Sequence, residues 1–166
     1  MPLFSSRAAA FFARIKRALG LGGAAVDGAA GAGLQGERQA AEFLRRERGF
    51  VVVARNWRNP KDRREEIDLI VRDGSVLVFV EVKTRAANAL VSGFNAVNAR
   101  KKTILRRAIR AYLRGLGEKP STFRFDIVEV ELAARPTGTK DSAVAGPGFE
   151  VRHYENVALF PKHFQP

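Results

Sequence analysis

Two apolar runs joined by Asp73-Gly74 constrain the fold of this chain more than any other feature. Residues 66–72 and 75–83 are rich in β-branched side chains, so the short Asp-Gly link between them predicts a β-hairpin. Asp-Gly suits a two-residue type I′ turn, because both central residues of that turn need a positive φ. The pairs that this turn predicts are Arg72–Ser75, Ile70–Leu77, Asp68–Phe79 and Glu66–Glu81.

The two faces of the predicted hairpin differ in polarity, because side chains alternate across a strand. One face is entirely apolar and carries Ile67, Leu69, Val71, Val76, Val78, Val80 and Val82. The open end of the other face collects three acids and a lysine, namely Glu66, Asp68, Glu81 and Lys83. In this register Asp68 is a diagonal neighbour of Glu81, at about 7 Å.

The acidic pair on this face predicts a cation site. Crowded carboxylates repel one another, so such a pair either raises a pKa or holds a cation, and oxygen ligands suit Mg²⁺ or Mn²⁺. Asp68 and Glu81 are the candidate ligands, and Lys83 is the candidate to orient water or neutralise developing negative charge. The alternative is an exposed Glu-x-Lys ion pair. The apolar residues flanking Glu81 and Lys83 indicate a central strand and argue against it.

Several separated strings of the sequence match one known family. They are Gly36-Glu37, Arg55-Asn56, Glu66-Ile-Asp-Leu-Ile70, Phe79-Val-Glu-Val-Lys-Thr-Arg85, Ala96-Val97, Arg124-Phe-Asp126 and Asn156-Val-Ala-Leu-Phe160. Over residues 36–160 the chain resembles the YraN-like proteins, a largely uncharacterised bacterial family of the PD-(D/E)XK, or restriction-endonuclease-like, superfamily. The family usually has Gly before Glu-Ile-Asp, whereas this chain has Glu65, a side chain that would alter the approach to the site.

The resemblance implies both a fold and a set of site residues. The fold is an α/β restriction-endonuclease-like sandwich with an αβββαβ core, in which helices flank a mixed sheet. The order of elements predicted from hydrophobic patterns agrees with it. The implied catalytic residues are Asp68, Glu81 and Lys83, and the implied metal ligands are Asp68, Glu81 and, from the first helix, Glu37. Without the resemblance, favourable interaction with a helix N-terminus explains Glu37 equally well.

Composition limits the class of protein and favours an anionic partner. The 166 residues predict one domain, and 29 basic against 17 acidic residues leave a net charge of +12. Charge alone does not distinguish DNA, RNA and an acidic membrane surface. The absence of cysteine excludes disulfides and zinc–thiolate sites and fits a reducing, cytoplasmic compartment. No apolar run approaches the roughly 18 residues of a transmembrane helix.

Hydrophobic patterns predict the remaining elements. Residues 1–34 are expected to form an extension with a flexible Ala/Gly-rich linker at 20–33, and residues 35–166 an α/β domain. For the basic stretch 7–19, a loosely attached extension and a weak membrane-surface or nucleic-acid contact both remain open. The predicted elements are a helix over 35–48, a strand over 50–54, a polar loop over 55–64, the hairpin, a loop over 84–94, a helix over 98–116, a strand over 122–132, a surface loop over 133–148 and an edge strand over 149–156. Trp57 in the polar loop either stacks on a base or packs against the sheet.

The helix predicted over 98–116 carries an unusual set of charges. Its basic residues, with no acid among them, are Arg100, Lys101, Lys102, Arg106, Arg107, Arg110 and Arg114. Because a solvated helix ordinarily mixes its signs, this set predicts a surface that follows phosphates. Arg85, which ends the string carrying Glu81 and Lys83, completes the predicted nucleic-acid-binding residues.

The predicted function is a Mg²⁺- or Mn²⁺-dependent nuclease or nuclease-like protein, an endonuclease-like phosphodiesterase acting on DNA. Similarity to resolvase-like members of the superfamily implies branched or structured DNA. The alternative is a nucleic-acid-binding module of the same fold without turnover, and a third hypothesis is an RNA-binding or ribosome-associated protein. DNA is favoured over RNA, and the oligomeric state is left open, a homodimer included.

Overall fold

The computed structural model describes residues 28–86, 99–132 and 149–165. In these ranges the chain forms two helices and one five-stranded mixed sheet, which confirms the predicted α/β class and order of elements. The elements are α1 (Gly28–Arg46), β1 (Val51–Asn59), β2 (Asp62–Asp73), β3 (Val76–Ala86), α2 (Ala99–Arg114), β4 (Phe123–Leu132) and β5 (Phe149–Tyr154). The strands follow the order β1-β2-β3-β4-β5, and only the pair β3–β4, which α2 connects, is parallel.

The central hairpin forms, but its register differs by two residues from the prediction. Asp73 pairs with Val76, which leaves Gly74 and Ser75 as the turn. Gly74 has a φ of 56°, whereas Ser75 is not among the residues with positive φ. This sign pattern belongs to a type II′ turn, which needs glycine only at its first central position. The predicted type I′ turn is therefore wrong, because Gly74 accepts the positive φ without steric cost and Asp73 stays in the strand.

One helix covers each face of the sheet, so the core has two halves. The α1 half contains Ala40, Ala41, Leu44, Phe50, Leu69, Val71, Val78, Val80, Val128 and Val130. The α2 half contains Ala54, Ile67, Ile70, Leu77, Phe79, Leu105, Ala108, Ile109, Tyr112, Leu113, Phe125, Ile127 and Leu159. The helix residues buried against the sheet are Ala40, Ala41 and Leu44 of α1 and Leu105, Ala108, Ile109, Tyr112 and Leu113 of α2. Apolar burial on both faces holds the central strands β2, β3 and β4 in place.

Ile67 departs from the predicted alternation of side chains along β2. It is buried on the α2 side with Ile70, whereas Leu69 packs on the α1 side. Trp57, the residue of β1 that pairs with Ile67, also packs on the α2 side. Asn56, which precedes Trp57, has a φ of 48°. Regular alternation is thus broken between Ile67 and Leu69, and Asp68 lies at the break.

The first two strands are longer than predicted. β1 continues to Asn59 and β2 begins at Asp62, so a tight turn at Pro60-Lys61 replaces most of the polar loop expected over 55–64. Hydropathy missed this extension because backbone ladder bonds require no apolar side chains. Trp57 packs edge-to-face on Tyr112, with ring centroids 5.3 Å apart, which favours packing against the sheet over base stacking.

Helix α1 also begins earlier than predicted. It starts at Gly28, so the linker prediction is wrong for residues 28–33. The alanines between the glycines have a high helix propensity. β3 extends to Ala86, which takes residues 84–86 out of the predicted loop. The predictions for residues 1–27, 87–94 and 133–148 lie outside the described ranges. Within those ranges, neither helix has the length and apolar character that crossing a membrane requires.

Helix α1 lies close to the sheet at Gly36. A Cβ built on this glycine would lie 1.8 Å from Oγ1 of Thr84 in β3, which is far inside van der Waals contact. Only glycine therefore lets the helix rest this close to β3. The next residue, Glu37, lies within electrostatic reach of Asp68 in β2 and Glu81 in β3.

We expect Gly36→Ala to destabilise the protein by about 1–3 kcal/mol, because the added methyl group meets a side chain fixed in a strand. Gly33→Ala is the matched control in the same helix, since a Cβ there has nothing within 4 Å. That substitution should instead stabilise by about 0.5–1 kcal/mol through helix propensity. Urea denaturation of both variants tests the contact, and equal stabilisation by the two would contradict it.

Candidate active site

The candidate site is the fork between β2 and β3, the point beyond Leu69–Val80 where the two strands are no longer paired. Their pairing runs from the turn to Leu69–Val80, and the next residues along the two strands are Asp68 and Glu81. Oδ2 of Asp68 accepts a hydrogen bond of 2.7 Å from the backbone N–H of Val82, in place of a backbone partner. Continued by one residue, the observed register makes Asp68 and Glu81 facing positions, whereas the sequence predicted a diagonal arrangement.

Glu81 is a buried carboxylate whose two oxygens differ in their surroundings. The residue is only 2% exposed. Its Oε1 lies 2.7 Å from Nζ of Lys83 and 3.2 Å from Nζ of Lys101. Its Oε2 is buried and accepts no hydrogen bond from any residue in the described part of the chain. A buried acceptor left unsatisfied costs about 1–3 kcal/mol, so this oxygen is a natural point of attachment for a cation or a donor group.

Asp68 is held in an environment that opposes its ionisation. Burial raises the pKa of Asp68 to about 7, and the negative charges of Glu81 and Glu37 act in the same direction. The hydrogen bond from Val82 and the charge of Lys101 act against them. Negative charge is therefore in excess around Asp68, as expected for a site that lacks a cation.

Glu37 joins this electrostatic group from helix α1. Burial raises the pKa of Glu37, a hydrogen bond with the Asn56 side chain lowers it, and the charges of Glu66 and Glu81 raise it further. The structure thus brings Glu37 within electrostatic reach of both Asp68 and Glu81. Among the residues described, no three acids or histidines stand in a ready-made coordination arrangement. The role of Glu37 as a metal ligand stays a prediction.

Lys101 is a site residue whose position the sequence did not reveal. It was predicted as one of seven equivalent cations on a phosphate-binding surface, but its ammonium lies 3.2 Å from Oε1 of Glu81. A lysine in a basic run carries no local signal that distinguishes an inward side chain from its neighbours. Only the placement of α2 against the fork identifies it.

The other predicted nucleic-acid-binding residues lie outside the carboxylate group. Arg85 forms an ion pair of 2.8 Å with the buried Glu129. On α2, Arg100, Arg107 and Arg114 are exposed, and Lys102 and Arg106 are half-buried. Arg110 donates to the backbone oxygen of Gln165. Contact of these side chains with nucleic acid stays a prediction.

Asp126 forms a second buried polar group, on the α1 side of the sheet. It accepts hydrogen bonds from Nε of Arg124 at 3.0 Å and from the backbone N–H of Asn156 at 2.9 Å, and its Oδ2 lies 2.9 Å from Nε2 of His153. Burial tends to raise the pKa of Asp126, but these interactions outweigh it and the pKa is lowered. Arg124 also binds Asp73 at the hairpin turn. The carboxylate of Asp126 is thus satisfied, although Nη2 of Arg124 and Nδ1 of His153 are buried without a hydrogen-bond partner in the described ranges. The network ties β4 and β5 to the hairpin, and we assign it a structural role.

Comparison with known proteins adds the family. The model of the uncharacterised protein family UPF0102 matches residues 36–130. A UPF0102 protein of Symbiobacterium thermophilum is 50% identical over 99 residues, which cover 60% of this chain and 80% of that protein. UPF0102 proteins of Koribacter versatilis and Chlorobium chlorochromatii are 44% and 43% identical over 100 and 102 residues, covering 60% and 61% of this chain and 68% and 75% of theirs. The YraN-like resemblance inferred from the sequence is thereby confirmed.

We expect Asp68→Asn to stabilise the metal-free protein at alkaline pH. Because the folded-state pKa of Asp68 is raised to about 7, the folded protein holds a proton that the unfolded chain has lost, and stability falls as pH rises towards 7. Asparagine cannot ionise and still accepts the Val82 N–H. Its gain should be about 1–3 kcal/mol at pH 8 and should shrink at pH 5.

Urea denaturation with chelator present, at both pH values, measures this difference. Glu118→Gln removes an exposed carboxylate beyond α2 and serves as the control, with little change expected at either pH. An equal gain for Asp68→Asn at pH 5 and pH 8 would show that the charge of Asp68 is not its source.

Proposed function

This chain belongs to the uncharacterised protein family UPF0102, and we propose that it is a metal-dependent nuclease or nuclease-like protein acting on DNA. One observation carries the proposal: Asp68 and Glu81 are crowded at the fork of two central strands, and a buried oxygen of Glu81 accepts no hydrogen bond within the described ranges. The proposed reaction is endonuclease-like hydrolysis of a phosphodiester bond. The position of the two carboxylates beside Lys83 and Lys101 supports this chemistry.

The residues at the fork fit a divalent cation. The buried Oε2 of Glu81 lacks a donor, and Asp68 has a raised pKa because burial and neighbouring acids disfavour its charge. These are oxygen ligands with excess negative charge, the set that Mg²⁺ or Mn²⁺ prefers. Asp68 and Glu81 would hold the ion, with Glu37 nearby. Such an ion, when bound, supplies Lewis-acid polarisation of the phosphodiester and acidifies water.

Two lysines give the fork its positive charge. Lys83 is 24% exposed, so its ammonium is accessible while it contacts Glu81. In the proposed reaction it orients the attacking water or stabilises the negative charge that develops on the phosphoryl oxygens. Lys101 shares Oε1 of Glu81 from the other side, and it keeps that carboxylate in place when Lys83 is engaged. The two lysines enter from different elements, β3 and α2.

The proposed substrate is nucleic acid, with DNA favoured over RNA. Support comes from the net charge of +12 and from the cations near the start of α2, which adjoin the fork through Lys101. Arg100, Lys102 and Arg106 are the proposed phosphate contacts at this end of the helix. We also propose branched or structured DNA as the substrate, because the chain resembles a superfamily that includes resolvase-like members.

The second candidate is a nucleic-acid-binding module that has this architecture but no turnover. A specific observation favours it: two ammonium groups already contact Oε1 of Glu81, so part of the acidic charge is neutralised without a metal. The absence of a preformed three-ligand group among the described residues points in the same direction. The two candidates differ in what metal and Lys83 should do.

Metal binding is the first test of the nuclease proposal. We expect calorimetry to detect binding of Mg²⁺ or Mn²⁺ to the wild type, and Asp68→Ala or Glu81→Ala to abolish it because each removes a ligand at the fork. Glu118→Ala, at an exposed position beyond α2, should bind as the wild type does. Unchanged metal binding in both site variants would remove Asp68 and Glu81 from the metal site.

Loss of Lys83 separates the enzyme from the binding module. We expect Lys83→Ala to retain the fold, because Lys101 still neutralises Glu81, and to bind DNA nearly as tightly as the wild type. Its rate of metal-dependent cleavage should fall by about 10²-fold or more, as when one group that stabilises transition-state charge is lost. Lys119→Ala removes the same charge from an exposed position beyond α2 and should leave the rate unchanged.

A panel of linear, single-stranded and junction DNA together with RNA, tested with Mg²⁺ or Mn²⁺ and with chelator, provides the measurement. Equal cleavage by wild type and Lys83→Ala would assign the activity to another site or to a contaminant. Binding without cleavage anywhere on the panel would favour the module.

A further inference from the structure

A cleft of about 510 Å³ opens between the β1–β2 turn and the C-terminal half of α2. Its polar lining is formed by Asn59, Lys61, Glu65, Arg107, Arg110 and Arg114. The first half of α2 adjoins the carboxylates through Lys101, whereas this cleft lies along the second half. The basic residues of the helix thus divide into two groups with different surroundings.

The charge of the cleft is strongly positive. Four basic side chains line it, and the only carboxylate among the lining residues is Glu65. Lys61, Arg107 and Arg114 form no ion pair with any residue of the described ranges. The nearby Asp62 is bound by Arg64 at 2.8 Å. The charge of Arg107 also acts on Asp62 and lowers its pKa. Even with Asp62 and Glu65 nearby, basic side chains outnumber acidic ones here, so this arrangement favours an anionic ligand.

Three contacts orient side chains on the cleft walls. The guanidinium of Arg110 lies over the ring of Phe164, 5.0 Å from its centroid, and its Nε donates to the backbone oxygen of Gln165 at 3.2 Å. On the opposite wall, Nδ2 of Asn59 donates to Oε2 of Glu65 at 2.7 Å. The orientation of both side chains is therefore set before any ligand enters, which lowers the entropic cost of binding.

We propose that this cleft binds the phosphate backbone of a nucleic acid whose reacting bond lies at the fork. The choice of nucleic acid rests on the proposed function, while the anionic character of the ligand rests on the cleft itself. Guanidinium groups match phosphate oxygens in geometry as well as charge. From Lys101 to Arg114 the helix spans about 20 Å at 1.5 Å per residue, or about six base pairs at 3.4 Å each. A duplex lying along α2 would contact both the cleft and the fork.

The test is equilibrium binding of a 20-base-pair DNA duplex by fluorescence anisotropy, with chelator, over a salt series. The double variant Arg107→Gln/Arg114→Gln should bind at least about tenfold more weakly at low salt, and its salt slope should be flatter by about 2 units. The matched control is Arg45→Gln/Arg46→Gln on α1, which removes two exposed arginines from the other face of the sheet. That pair should leave the slope unchanged.

Glu65→Gln gives a change of opposite sign. It removes the acid from the cleft and still accepts the hydrogen bond from Asn59, so affinity for the duplex should rise. Equal affinities and slopes for the two arginine pairs would overturn the cleft as a binding site, and metal-dependent cleavage by the wild type would still support the nuclease. Duplex binding that depends on the cleft, with no cleavage by the wild type, would support the cleft and overturn the nuclease.

Discussion

The rest of the site depends on a carboxylate that is buried in the middle of a sheet. Glu81 is 2% exposed in a central strand, where an ion is stable only when other groups compensate it. Compensation comes from Lys83 in the same strand and Lys101 on α2, both at one oxygen. The break in β2 places Asp68 beside it, and Glu37 of α1 lies within electrostatic reach of it. Four elements therefore meet at this group.

Two aspartates, the buried Asp126 and the half-buried Asp68, show how the same side chain serves different purposes. The pKa of Asp126 is lowered, because donors from Arg124, His153 and Asn156 outweigh the effect of its burial. The pKa of Asp68 is raised to about 7, because burial and other acids outweigh its single backbone donor. A satisfied carboxylate stabilises the native structure, whereas an under-satisfied one among acids is typical of a ligand site. This contrast supports placing function at the fork and structure at Asp126.

Helix α2 connects the fork with the basic cleft. Its apolar face is buried on β2 and β1, so the helix is fixed relative to the carboxylates. Its first turn supplies Lys101 to the fork, and its last turns line the cleft opposite Lys61. Under both proposals a nucleic acid would lie along this helix. This geometry is compatible with a nuclease and with a binding module. The two differ in whether a metal ion or only Lys83 and Lys101 neutralise the acids around Glu81.

The sequence by itself determined the α/β class, the order of elements and the central hairpin, because hydrophobic periodicity and turn residues encode these features. It also singled out Asp68, Glu81 and Lys83 through local motifs, and their role in a site stays a prediction. It misplaced the hairpin register by two residues, since Asp73-Gly74 and Gly74-Ser75 both form short turns and a shift of two keeps every side chain on its face. The break at Ile67, the inward turn of Lys101 and the basic cleft were decided only by the tertiary structure. Each depends on distances between elements remote in sequence, which no local pattern specifies.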